Sequence, residues 1–355
     1  MTMPDNLSST VFDVRALGAA GDGVTDDTTV LQTAIDSAAA VQGIVFIPPG
    51  RYLTGPLYGA PKIRLTGAAN FSFREPGGSV LVLKPGCEAR ALLDITFAYG
   101  ISIDNLCLVG DGIEAERIVH GIGIFKEDYG RQEDTPCIDH CRIERFSGDA
   151  IHLQRIWCFS VRHCSCCFCG GAGILVRGWD GFILDNWLSG NRGAGYAAYD
   201  ENASVTLTGN RIEWNRSGGI VARGGAKYNI TGNYIDRSGC AGMDIQGGCD
   251  FAVTGNVIYR SGKPEWTADP ETSAHLILRS VAGVSFCGNS LAVGRDDGGK
   301  GSYSPATGMV LDFLTDCVVA NNVLHNGATE NLVLESGSME NCSIMNNMGS
   351  VYDIS

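Results

Sequence analysis

The sequence predicts an all-β solenoid: short parallel strands stacked coil upon coil, headed by one short amphipathic helix. Three observations carry this. Glycine makes up 48 of 355 residues, about 14%, and charged residues are 18%, against usual shares of about 7% and 25%. Such a chain is rich in turns and poor in exposed helix surface. An asparagine motif recurs with a period near 23 residues, and a short stretch of period-two alternation follows most copies at a fixed distance. Stacked repeats of one supersecondary unit produce this pattern.

The head, residues 1–60, reads in order as a strand from Val11, the Gly-rich turn GAAGDGVTDD, a helix, and a strand ending at Pro48-Pro49-Gly50. Thr25 or Asp26 is the expected helix cap, with acidic side chains at the positive end of the helix dipole. Val30, Leu31, Ala34, Ile35 and Ala38 form the buried stripe, leaving Gln32, Asp36 and Ser37 outside. The head is read as a cap, and residues 61–355 as the repeating body.

In the body, Asn-x-apolar tripeptides stand at Asn105, Asn186, Asn210, Asn233, Asn256, Asn289 and Asn322, with a weaker copy near Asn346. From Asn186 onward the steps are 24, 23, 23, 33 and 33 residues, a period of 23 with insertions of about ten. Cys141 and Cys164 continue the register in two further coils. Strands follow at AIHLQ, GILVR, GYAAY, GIVAR, GMDIQ and GMVLD, beginning at Ala150, Gly173, Gly195, Gly219, Gly242 and Gly308. Long insertions at 111–120, 262–273 and 294–307 enter at the turn before this strand, where they would wall a groove.

With GDGVTDDTTVLQTAID at 21–36, VQGIVFIPPGRY at 41–52 and the repeats, the chain resembles the pectate-lyase superfamily. The resemblance implies a single-stranded right-handed parallel β-helix of about ten coils with an N-terminal capping helix. It also implies that the recurring asparagines are inward ladder side chains, bonded to one another at about 4.8 Å per coil.

Composition excludes some partners. The formal charge of −13, from 26 Lys plus Arg against 39 Asp plus Glu, leaves no basic stripe for nucleic acid, and no apolar run is long enough to cross a membrane. The opening MTMPDNLSSTVFDV lacks the cationic and apolar segments of an export signal. With fourteen cysteines read as reduced, a cytoplasmic location is expected for the chain as written, and a secreted one if a signal was removed.

The cluster Cys158, Cys164, Cys166, Cys167, Cys169 and His163 lacks the paired CxxC spacing of structural zinc. Cys164 and Cys166 are expected to fill the core, and no metal site is expected. His140 and His163, 23 residues apart, are expected to stack on each other, with no carboxylate of the same register beside them.

The strand after the turn exposes two columns. One is His152, Leu175, Ala197, Val221, Asp244, Ile277, Val310 and Val333; the other is Gln154, Arg177, Tyr199, Arg223, Gln246, Arg279, Asp312 and Glu335. The second column holds the side chains that bind sugars. Within it, GMDIQ is similar to the Gly-Ile-Asp-Ile segment of polygalacturonase-type glycosidases, although Gly239-Cys240-Ala241 stands where that family has Asn-Thr-Asp. A glycosidase needs two carboxyl groups. The expected catalytic set is therefore Asp244 with Glu265, Asp269 or Glu271, and the expected substrate-binding set is Arg177, Tyr199, Arg223, Gln246, Trp266 and Arg279.

Asp149 with His152, in SGDAIH, and Asp312 with Glu335 are alternative catalytic pairs. The expected function is hydrolysis or transglycosylation of a poly- or oligosaccharide without a cofactor. One alternative is a lyase or uronate epimerase that uses arginine and a base, for which Ca²⁺ would be a further aid. The other is a non-catalytic, tailspike-like glycan-binding stalk, associated as a homotrimer through an apolar stripe of Ile277, Val310 and Val333.

Overall fold

A computed structural model describes residues 10–68, 72–262, 273–294 and 304–352, in two compact units, 1–171 and 172–355. Among the described residues the fold is all-β with one helix, and the strand pairings are parallel.

In the first unit, Val11–Asp13, Ile44–Ile47, Arg64–Gly67, Ser102–Asp104 and Cys137–Asp139 pair in succession. The helix Thr28–Val41 buries Leu31, Ala34, Ile35 and Ala38, while Val30 is only half-buried. Its N-cap is Asp27, not Thr25 or Asp26. The Asp27 carboxylate turns instead to the Gly-rich loop, accepting the N–H groups of Ala20 and Gly21 at 2.7 and 2.9 Å. Asp26 bonds Thr28 and Lys84.

Both units share one corner. The residue before each ladder position adopts a left-handed backbone: Asn105, His140 and His163 in the first unit, then Asp185, Gly209, Gly232, Gly255, Gly288, Asn321 and Asn346 in the second. Gly, Asn, Asp and His are the residue types that tolerate this conformation, which explains the recurring Gly-Asn and Asn-Asn pairs.

The same corner corrects two ladder assignments. Asp104 pairs with Asp139, so Asn105 is a corner residue aligned with His140, and Leu106 fills the ladder place. At the far end the ladder residue is Asn347, not Asn346. Side-chain amides run Asn186, Asn210, Asn233, Asn256, Asn289, Asn322, Asn347 with Nδ2-to-Oδ1 distances of 2.9–3.1 Å. A second, shorter ladder joins Asn191 to Asn215 at 2.9 Å. Its trace in the sequence is the pair Asn-Arg repeated 24 residues apart.

Cys141 and Cys164 occupy the ladder place in the first unit, and Cys164 and Cys166 are buried as expected. All fourteen thiols are free. Burial pushes the thiols of Cys107 and Cys167 up to about 11, and that of Cys169 higher still, so these sulfurs stay protonated and act as small apolar groups. His140 and His163 do stack, with centroids 4.6 Å apart. The expectation that no carboxylate accompanies them fails: Asp139 Oδ1 lies 2.9 Å from Nδ1 of each ring.

Candidate active site

In the second unit the two outward columns form as expected up to the last coil. Val221, Asp244, Ile277 and Val310 are register neighbours, as are Arg223, Gln246, Arg279 and Asp312. A register shift after Asp312 then places Leu334 beside Val310, Glu335 beside Leu311 and Ser336 beside Asp312. Asp312 and Glu335 are therefore not a pair. The Asp312 carboxylate accepts from Arg279 Nε at 3.0 Å and Ser336 Oγ at 2.9 Å.

Asp244 is only 6% exposed, and both its oxygens are engaged. Arg223 Nη2 donates to Oδ2 at 2.6 Å, and Gln246 Nε2 donates to Oδ1 at 2.9 Å. Its column neighbours are the apolar Val221 and Ile277. Glu265, Trp266, Asp269 and Glu271 lie outside the described residues. Arg177 Nη1 lies 3.7 Å from Asp200, and Tyr199 packs on the small cluster of Ala172, Ala194, Ala197 and Val221. Ile277 and Val310 are buried with Ala241 and Ala274, so they present no exposed apolar stripe.

The first unit brings a different set together. Asp149 lies in the turn before the strand Ile151–Arg162, and its Oδ2 is 2.7 Å from His152 Nδ1. A carboxylate there accepts the Nδ1 proton, fixes the ring and leaves Nε2 as the basic nitrogen. From the preceding coil comes His120, at the head of His120–Phe125. The N–H of Asp149 donates to His120 Nδ1 at 2.9 Å, so that nitrogen is the acceptor and Nε2 carries the proton. The two imidazole centroids are 4.3 Å apart. His120, Asp149 and His152 are all nearly buried, with side-chain exposures of 13, 8 and 14%.

Two glycines make this packing possible. A Cβ on Gly148 would lie 2.7 Å from His120 Nδ1, and one on Gly123 would lie 2.3 Å from the Phe125 ring. Phe125 therefore folds back over Gly123 and stands between two partners, with His152 stacked at 5.2 Å and the Arg90 guanidinium at 4.6 Å. Ser147 anchors the insertion that delivers His120: its hydroxyl donates to Arg117 O at 2.6 Å and accepts from Val119 N at 2.9 Å.

Tyr58, Asp94, Gly123 and His152 occupy one register column. Arg90 Nη2 holds Asp94 Oδ2 at 2.8 Å, yet the Arg90 side chain remains 61% exposed. Tyr58, Glu88, Arg90 and Asp94 line a cleft of about 310 Å³. The arrangement thus offers an oriented base, an imidazole donor, and a cation at the mouth of a sugar-sized cleft.

Of the expected sites, the structure joins Asp149 to His152 and leaves the others as ion pairs or undescribed. It also supplies the second acid, Asp94, that sequence spacing did not place near this pair. His120, Arg90 and Phe125 were missed because their coil register crosses insertions. The signal for them was the small residues Gly123 and Gly148 in otherwise bulky strands.

A family model described as "Right handed beta helix region" matches residues 117–258 and 198–354. One described as "Rhamnogalacturonase A/epimerase, pectate lyase-like" matches 11–78. The Azotobacter vinelandii mannuronan C5-epimerase AlgE2 is 27% identical over 245 residues, 61% of this chain and 23% of that protein. AlgE1 of the same organism is 40% identical over 77 residues, 21% and 4% respectively. The non-secreted LysM effector LysM19 of Penicillium expansum is 56% identical over 45 residues, 13% and 4%. The chain therefore spans a small part of these relatives' length.

Among solved structures, the AlgE6 A-module of A. vinelandii is similar with TM-score 0.65 and 16% identity, covering 96% of this chain and 100% of that one. DFA-IIIase from Arthrobacter chlorophenolicus A6 gives 0.68 and 18%, covering 95% and 94%. Tailspike protein 2 of bacteriophage CBA120 gives 0.73 and 15%, covering 95% and 52%. At these identities the likeness is one of fold. Because the first family model matches more than half of the sequence, the chain belongs to the right-handed β-helix family.

Proposed function

We propose that this chain is a carbohydrate-active enzyme that moves the C5 proton of a uronate sugar, as an epimerase or a lyase, at the Asp149–His152 site. The observation that carries this reading is the 2.7 Å contact between Asp149 Oδ2 and His152 Nδ1. It has the arrangement of an oriented general base. Mannuronan C5-epimerases among the relatives and the epimerase-type match over the head support it.

In the proposed reaction, Arg90 binds the substrate carboxylate and offsets the charge that builds up when the neighbouring C–H is broken. Arg90 fills the role for which Ca²⁺ would be the alternative. His152 Nε2 takes the C5 proton, and the imidazolium so formed is stabilised by Asp149. The enolate then has two fates: a proton returned to the opposite face, for which His120 Nε2–H is the donor, or expulsion of the C4 oxygen. The first is epimerisation and the second is β-elimination.

Hydrolysis by a carboxylate pair is the second reading. What favours it is Asp94, which lines the cleft two strands from His152 in the same column. Strand spacing puts the two positions roughly 9.6 Å apart, near the upper end of inverting geometry. The test is turnover of uronate and neutral glycans by wild type and His152→Gln, followed by reducing-end release and by absorbance near 235 nm. A loss of about 10²-fold or more on uronates is expected for the variant. Equal turnover by both proteins removes His152 from the chemistry. Reducing ends without absorbance, on neutral glycans, select hydrolysis. Binding without any turnover selects the stalk.

A further inference from the structure

The first unit contains a second place where two imidazoles from successive coils converge on one carboxylate oxygen. Asp139 closes the strand Cys137–Asp139. His140 is the corner residue that follows it, and His163 is the corner residue of the next coil, both in the left-handed conformation at φ 48° and 52°. Each Nδ1 lies 2.9 Å from Asp139 Oδ1, and the rings are tilted by 31°. The side chains are open to solvent, with exposures of 57% for His140, 42% for His163 and 30% for Asp139.

We propose that Asp139, His140 and His163 form a site for a divalent transition-metal ion of the zinc class, clipping two successive coils together. Two nitrogens and one oxygen within 4.8 Å of one another supply the donor set that suits zinc, copper or nickel better than magnesium or calcium. The 2.9 Å separations agree with this. Ligands about 2.1 Å from a shared ion and at right angles to each other stand about 3.0 Å apart. Exposure leaves the remaining coordination positions to solvent.

The surroundings set the charge. On one side is Asp104, whose oxygens are held by Arg64 at 2.7 and 3.1 Å. On the other side is Arg162, the register neighbour of Asp139, with its Nε on Ser160 Oγ at 3.2 Å. Cys137 begins the same strand, and burial raises its thiol pKa, so the site is imidazole and carboxylate, not thiolate. The other convergent pair differs. There the main-chain N–H of Asp149 occupies His120 Nδ1, which suits proton transfer and blocks that nitrogen as a ligand.

The test uses the full chain and zinc alone, by titration calorimetry and by melting with and without the ion. Wild type is expected to bind one ion here. Zinc should raise its melting temperature, and affinity should fall as pH drops below about 6.5, where imidazole takes up protons. His163→Gln and His140→Gln should each weaken binding by about tenfold or more and lose the melting shift. If either variant melts below wild type without zinc, copper EPR of wild type supplies the second readout, with two coupled imidazole nitrogens expected. Unchanged affinity in the double variant overturns the proposal. So does loss of binding in His120→Gln with wild-type binding in the corner variants, or a copper spectrum with one nitrogen or none.

Discussion

His275 stands where Gly242 lies one coil earlier and Gly308 one coil later. Its imidazole is completely buried, and neither nitrogen has a partner among the described residues. Burial disfavours the charged ring and lowers its pKa from 6.5 to about 3. In the unfolded chain the same ring takes up a proton near pH 6.5. Below that pH the unfolded state binds more protons than the folded one, so His275 lowers stability as pH falls from about 6.5 toward about 3, by roughly 1.4 kcal/mol per unit. Denaturant melts of wild type and His275→Leu between pH 7 and 4 should show a shallower acid limb for the variant; parallel limbs would show that His275 is solvated. The catalytic dyad is the counterpart that could be read from sequence, because Asp149 and His152 are three residues apart and share one turn. Arg90 is 62 residues from His152 and reaches it only through Phe125. Arg90→Ala should raise KM on uronates more than it lowers kcat, measured by initial rates, since its guanidinium is placed to hold the carboxylate.

The asparagine ladder is the element on which the second unit depends. Asn233 Oδ1 accepts from both the backbone N–H and the side-chain Nδ2 of Asn210, while its own Nδ2 donates to Leu207 O and Asn256 Oδ1. Asn233→Ala strands a buried N–H and a buried carbonyl, and should cost about 2–4 kcal/mol in denaturant unfolding; a loss under 1 kcal/mol would mean that water replaces the ladder. Two glycines of the same coils separate packing from backbone strain. A Cβ on Gly219 would lie 2.3 Å from Gly242 O and 2.6 Å from Ile235 Cγ2, whereas Gly232, at φ +66°, has nothing within 4 Å. Gly232→Ala should therefore cost about 1–2 kcal/mol, the left-handed penalty alone, and Gly219→Ala clearly more. These coils were legible in the sequence because the ladder spacing and strand alternation are local and repeat. The last coil was not: the shift after Asp312 inserts a residue that no hydrophobic pattern marks. Asn105 misled for a related reason, since asparagine serves both the corner and the ladder.

At the scale of the whole molecule, a 355-residue chain with a net charge of −13 carries few cations on the face where a polyanionic sugar would lie. Arg90 beside the Asp149–His152 dyad is therefore where recognition and chemistry coincide in the proposed function. Fold and family were legible from glycine content, the 23-residue period and the head motif, because stacking identical units leaves a periodic trace. The site was legible only in part, because its members come from coils joined through insertions and are aligned by strand register rather than by sequence distance. The most direct measurement is NMR of polyuronates incubated in D₂O with wild type and with His152→Gln. Deuterium at C5, or loss of the C5 proton into a 4,5-unsaturated product, is expected with wild type and not with the variant. Chain cleavage at equal rates by both proteins, with the C5 proton retained, would contradict proton abstraction at this site.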